Sequence, residues 1–280
     1  MSERIEWIRH DDGVVELHLN RPDKMNALDP AMFDALVAAG ERLQDDQDDR
    51  TARAVVITGR GKAFCAGLDM ESFARMGDEA AGAGVLGQGG RTDLIERTHG
   101  ISNAAQYVAI AWREVPVPVI AAVHGVAFGG GLQVALGADL RLVTADTRMS
   151  VMEIKWGLVP DMGGTPLLRA LVRDDVAREL TYTGRIVTGE EAVSLGLATR
   201  VVADPLAEAQ RLAHEIAARS PDAIRGGKRL LNAMANPSVS DAELLLAESK
   251  EQQALIGSPN QTEAVRANME KRLPRFADPA

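Results

Sequence analysis

The chain has 280 residues, 46% of them hydrophobic, and a mean hydropathy of −0.09, which suits one globular domain with a sizeable core and room for an appendage. With 31 Lys and Arg against 40 Asp and Glu, a net charge of −9 and a pI near 5.2, its surface repels nucleic acid and anionic membrane, so neither is expected as a partner. Its single cysteine, Cys65, excludes intramolecular disulfides and a cysteine-cluster zinc site, and placement beside small residues suggests packing rather than chemistry.

Residues 1–12, MSERIEWIRHDD, hold no apolar leader, so a cytoplasmic protein is expected. Residues 4–9 and 13–19 alternate around Asp12-Gly13 and predict a β-hairpin. Asp29-Pro30 opens a helix by cap and first-turn proline, with Met32, Leu36, Val37 and Leu43 on its inner face. The acidic run at 45–49 reads as a solvated helix end or loop. A buried strand follows at Ala54 to Thr58, then small residues through Ala66-Gly67-Leu68-Asp69, where another molecule could approach the backbone. Asp69 suits a helix cap better than a substrate contact. The glycine-rich stretch at 77–90 predicts a mobile segment, a lid or an insertion, and a helix is expected over residues 93–112.

The stretch from Pro116 to Asp139, PVPVIAAVHGVAFGGGLQVALGAD, organises the rest. It predicts a buried strand, a glycine turn at Gly129-Gly130-Gly131 and a helix ending at Gly137. Bare N–H groups at the start of such a helix sit at its positive end and suit an oxygen carrying negative charge. Val115 to Ala138 is uncharged and long enough to span a bilayer, but two prolines, several glycines, His124 and Gln133 favour a soluble core. A purely structural glycine turn is the competing reading. Strands are expected at 139–143 and 149–154, a helix from Thr165-Pro166, a helix from Gly189 to Leu195, and a short strand at Val201-Val202. Amphipathic helices near 205–219, 221–234, 240–256 and 260–272 follow. The change of texture near 204 suggests a core over residues 1–203 and a helical carboxy-terminal assembly subdomain over 204–280.

Donors from the Gly67-Leu68 turn and from Gly129 to Gly131 could converge on one carbonyl oxygen and stabilise an enolate. Glu153, between Met152 and Ile154, would have a raised pKa if buried and could shuttle protons; Asp161 follows eight residues on. Taken alone, Glu153 could equally be a surface residue on an edge strand, and Asp161 an ordinary turn residue after Pro160. The five histidines show no metal-ligand spacing, and neither a phosphate loop nor a nucleophile elbow is present.

Together these motifs, Asn20-Arg21-Pro22 with Asn26-Ala27-Leu28, Ala63 to Asp69, Pro118 to Gly131 and Gly157 to Thr165, resemble the crotonase (enoyl-CoA hydratase/isomerase) superfamily over nearly the whole chain. The resemblance implies an α/β, crotonase/ClpP-like spiral of ββα repeats with a helical carboxy-terminal trimerisation region, assembled as trimers or hexamers. It implies acyl-CoA thioester substrates and no separate cofactor, coenzyme A arriving with the substrate. By position it assigns an oxyanion hole to the N–H groups of Leu68 and Gly130, and places Ala27, Ala66, Gly67 and Asp69 around the coenzyme. Lys271 matches a lysine that approaches a CoA phosphate in some members.

Hydratases of this superfamily carry one glutamate two residues after the glycine triplet and another at the position of Glu153. Here the first position is Gln133, whose amide can orient water but cannot take its proton. Isomerases of the superfamily work with one carboxylate at the Glu153 position, or with carboxylates matching Glu153 and Asp161. The dienoyl group carries a further aspartate where Gln133 stands. The resemblance therefore favours double-bond isomerisation of an enoyl- or dienoyl-CoA. Hydration through Gln133 and Glu153, or acyl-CoA binding without turnover, are the alternatives.

Overall fold

The computed structural model describes residues 4–45, 51–75 and 94–279. The acidic run at 46–49 and the glycine-rich stretch at 77–90 lie outside the described residues. Strand β1 (Ile5–Arg9) pairs antiparallel with β2 (Val14–Leu19), the expected hairpin. From β2 onward the six-stranded main sheet is parallel, through β3 (Ala54–Gly59), β4 (Val119–Val123), β6 (Leu140–Val143) and β9 (Arg200–Val201). A second sheet holds β5 (Val126–Phe128), β7 (Arg148–Ser150) and β8 (Val187–Thr188). Single parallel bridges, Leu28 to Leu68 and Cys65 to Ala127, continue it toward the amino terminus. Each pass of the chain thus lays one strand in the main sheet and the next in the smaller one before a helix returns. This is a ββα spiral, and it stacks the second-sheet segments beside one another.

Apolar patterning explains where the core sits. Every residue of β3 and β4 is buried, as parallel strands covered on both faces require. On one face, helix α1 (Pro30–Gln44), capped by Asp29 accepting from Met32 N at 2.9 Å, packs with α3 (Ala104–Glu114) around Phe33, Leu36 and Trp112. Helix α4 (Gly130–Gly137) is buried along its whole length on the same side. The short α2 (Met70–Arg75) follows Asp69. After β7 come α5 (Gly164–Leu171), α6 (Asp174–Thr183) and α7 (Gly189–Leu195).

The opposite face is covered by α8 (Pro205–Ala217), whose Ala209, Ala213 and Ala217 pack on Val14, Val56, Ile120 and Leu142. Gln210 Nε2 on α8 also donates to Glu16 Oε1 at 2.9 Å, a buried carboxylate that His18 and His10 bond at 2.6 and 2.7 Å. Next, α9 (Pro221–Met234) inserts Lys228 into the body of the fold, bonding Trp112 O, Val117 O and Asp139 Oδ2, each at 2.8 Å. By contrast α10 (Asp241–Leu255) buries no residue, and Leu245, Leu246 and the following Ile256 are exposed. Helix α11 (Pro259–Glu270) closes the order.

Three local expectations change. The link Val126–Phe128 is a strand, because it pairs with β7. The helix expected over 93–112 runs from Ala104 to Glu114, since Asn103 and Gln106 form a capping box that fixes its start. The strand expected through 154 stops at Ser150. Glu153–Trp156 is a 3₁₀ helix closed by Gly157 in the left-handed region, φ 72°, whose N–H bonds back to Glu153 and Ile154 carbonyls.

Candidate active site

The site is assembled where the second-sheet segments meet the start of α4. Leu28 N donates to Gly67 O at 2.8 Å and Asp69 N to Leu28 O at 3.0 Å, so the two neighbours of Leu68 hold the bridge and the Leu68 N–H faces the other way. Gly67 has φ +88°, and a methyl group on it would lie 2.6 Å from Phe128 O and 3.7 Å from Gly130 N. Only glycine fits there. The Gly67-Leu68 turn is thereby brought against Gly130, the first residue of α4, whose N–H has no carbonyl one turn back within the helix. Gly131 abuts Cys65 so closely that a side chain would strike the Cys65 carbonyl. Cys65 itself is buried, and burial pushes its thiol up to about 12. It should stay unmodified by a thiol-reactive disulfide reagent in native protein and react only on unfolding in urea; prompt native labelling would contradict this packing.

Asn26 ties the approach together. Fully buried, it donates to Arg60 O and Ala63 O at 2.9 and 2.8 Å and accepts from Arg21 N at 2.8 Å. Arg21 in turn bonds Ala27 O at 3.2 Å and pairs with Asp69 Oδ2, while Asp69 Oδ1 accepts from Glu71 N at 2.8 Å. Burial works against the Asp69 carboxylate, but the Glu71 N–H and Arg21 more than offset it and hold its pKa below the usual range. Asp69 therefore caps α2 and anchors Arg21. Ala66 N bonds Met25 O at 3.0 Å, so Ala27, Ala66, Gly67, Leu68 and Asp69 form one strip.

Beneath this strip lies a second group. Gln133, buried on α4, uses both ends of its amide: Oε1 accepts from Met162 N at 2.9 Å and Gly164 N at 2.8 Å, and Nε2 donates to Glu153 Oε1 at 2.6 Å. Glu153 is 9% exposed and lies against Gly129, and its Oε2 is buried without a hydrogen-bond partner among the described residues. Burial raises its pKa, the Gln133 bond opposes the rise, and the charge of Asp161 adds to it. Asp161 is exposed, and the partial desolvation it does undergo raises its pKa too. Glu153 is thus a buried carboxyl at a 3₁₀ start.

The sequence-assigned residues divide accordingly. Ala27, Ala66, Gly67, Leu68 and Asp69 lie along the strip with Gly67 against Gly130, Gln133 bonds Glu153, and the exposed Asp161 reaches Glu153 only through its charge. Lys271 stands apart, exposed at the end of α11 with φ 52°, and no hydrogen bond links it to the strip among the described residues. Arg21 and Asn26, which hold the strip in place, carry a sequence signal only as parts of the motifs Asn20-Arg21-Pro22 and Asn26-Ala27-Leu28. Among the described residues no group of three or more His, Cys, Asp or Glu is placed to hold a metal, and no helix is long and apolar enough to cross a membrane.

The family model for enoyl-CoA hydratase/isomerase matches residues 9–279. The chain belongs to the enoyl-CoA hydratase/isomerase family. Its sequence is 32% identical over 273 residues to the human mitochondrial enoyl-CoA hydratase domain-containing protein 2, covering 95% of this chain and 86% of that one. The crystal structure of an enoyl-CoA hydratase from Mycobacterium smegmatis superposes with TM-score 0.78 at 31% identity, covering 97% of this chain and 98% of the other. That of an enoyl-CoA hydratase from Bacillus anthracis gives TM-score 0.84 at 28% identity, covering 99% and 100%. Acyl-CoA thioesters are the expected substrates of this family.

Proposed function

We propose that this enzyme moves a carbon–carbon double bond in an acyl-CoA thioester. The observation that carries this reading is the Gln133–Glu153 pair: a single buried carboxylate with one oxygen free, beside an amide whose two ends are already engaged. The thioester oxygen accepts from the N–H groups of Leu68 and Gly130. Glu153 removes a proton from C2 of a 3-enoyl thioester, and the electron pair is held as a dienolate at that oxygen. A proton returned at C4, by Glu153 or by Asp161, completes the shift to the 2-enoyl product. Each oxyanion donor of this kind is worth roughly 10²- to 10³-fold in rate. Ala27, Ala66, Gly67 and the Arg21–Asp69 anchor line the coenzyme's path, and Lys271 is available on the surface to a CoA phosphate. The exposed Leu245 and Leu246 of α10, with Ile256 after it, suit assembly into a trimer or hexamer.

Hydration is the second reading, favoured by the names of the relatives. It requires water to add its oxygen at C3 and a proton at C2, with a group besides Glu153 to hold that water. Ultraviolet spectra decide between them: a growing enoyl band with 3-enoyl- or 3,5-dienoyl-CoA supports isomerisation, and bleaching with 2-enoyl-CoA alone overturns it. Gln133→Glu is expected to shift the acid limb of the pH–rate profile further upward, because two carboxyls at this separation must share a proton. A sharp rise in hydration by that variant would instead favour the second reading.

A further inference from the structure

A cavity of about 240 Å³ opens beside Asp161, between the Pro160–Pro166 segment and the start of α3, with Ile110, Thr165 and Arg97 among its walls. A volume of that size matches a short chain. Arg97 is unusually well held for an exposed residue. Its Nε donates to Ile95 O at 2.9 Å, Nη1 to Gln106 Oε1 at 2.9 Å, and Nη2 to Leu94 O. The acceptors are fixed in turn by the α3 capping box: Asn103 Nδ2 donates to Leu94 O at 2.8 Å and Asn103 N to Gln106 Oε1 at 3.1 Å. A guanidinium has five N–H donors, so one remains on each terminal nitrogen. Among the described residues its three bonds go to two carbonyls and a side-chain amide, none to a carboxylate.

We infer that Arg97 is a specificity residue that binds a carboxylate at the far end of a short acyl chain, so that the preferred substrates are thioesters of dicarboxylic acids. The inference rests on the acyl-CoA reading above and names the substrate class for that site. A carboxylate offers an acceptor to both remaining N–H groups, and a methyl-terminated chain offers neither one. Asp161 shares the cavity, and the fixed Arg97 cation offsets its charge for an entering anion. Arginine suits the task because its planar fork binds carboxylate in two places at once.

Binding, which needs no turnover, tests it. Calorimetric titration of the whole protein would compare succinyl-, glutaryl- and adipyl-CoA with butyryl-, pentanoyl- and hexanoyl-CoA. At least one carboxylated ester should bind about tenfold or more tightly than its methyl-terminated match, the scale of one charge-assisted pair. Arg97→Gln should bring that ratio toward one, and Arg97→Glu should reverse it against an ammonium-terminated chain of equal length. A ratio near one in the unaltered protein, or an unchanged ratio in Arg97→Gln, overturns the inference. A preserved preference without spectral change on any enoyl thioester would leave it standing and remove the isomerase reading instead. Failure of every ester to bind would end both.

Discussion

Glu153→Gln is expected to lower turnover by roughly 10²- to 10⁴-fold, the range of a general base removed from a reacting centre, while raising thermal stability near neutral pH. The two effects have one cause. Glu153 is buried, its Oε2 has no partner among the described residues, and burial followed by the charge of Asp161 raises its pKa in the fold. A carboxyl whose folded pKa lies above its unfolded one favours folding below the unfolded value, and that contribution is lost as pH rises through the folded value. At neutral pH the native protein therefore holds an ionised carboxylate at a cost, and the neutral amide has less to lose on burial. Its oxygen can still accept from Gln133 Nε2. The stability gain should vanish below the ordinary glutamate range, and the acid limb of kcat/KM in the unaltered enzyme should lie above that range. Thermal melts from acid to neutral pH, with kinetics on the substrate that gives a growing band, check both. Undiminished turnover with intact acyl-CoA binding would remove Glu153 from the chemistry.

The fold was legible where apolar periodicity and capping chemistry act locally. The hairpin at Asp12-Gly13, the Asp29-Pro30 helix start and the helix over Gly189–Leu195 all follow from near neighbours in sequence. Long-range pairing was less accessible. Val126–Phe128 becomes a strand only because β7 lies beside it, and Glu153 enters a 3₁₀ turn because Gly157 can adopt a positive φ. At the site, residue types alone suggested both an oxyanion cradle and a proton carrier. They could not reveal that Gln133 has both amide ends committed, to the Met162 and Gly164 N–H groups and to Glu153, since those partners lie 20 to 31 residues away. Nor could spacing show Asp69 locked to Arg21 across 48 residues. The motifs marked the segments, and tertiary hydrogen bonds show what each side chain touches.

The largest stability loss is expected at Lys228→Met. Lys228 is 6% exposed and satisfies three acceptors at once, Trp112 O, Val117 O and Asp139 Oδ2. Burial pushes its pKa down and the Asp139 charge opposes that, so the ammonium is retained because its partners surround it. Asp139 Oδ2 also accepts from Val119 N at 2.7 Å, which makes the pair a clamp between α9 and both ends of the segment that runs through β4 to α4. Methionine fills similar volume but donates nothing, and among the described residues the Asp139 carboxylate keeps Val119 N and a longer contact of 3.8 Å to Arg113. Breaking one partner out of a buried pair costs about 3–5 kcal/mol. Urea unfolding should show a lower midpoint at unchanged slope. Adding Asp139→Asn should recover part of the loss, because the second change removes the charge that the first left unpaired. If the midpoint held, the ammonium would be no clamp, and the attachment of α9 would have to rest on its apolar contacts and on Asn232 Nδ2 bonding Arg113 O at 2.7 Å.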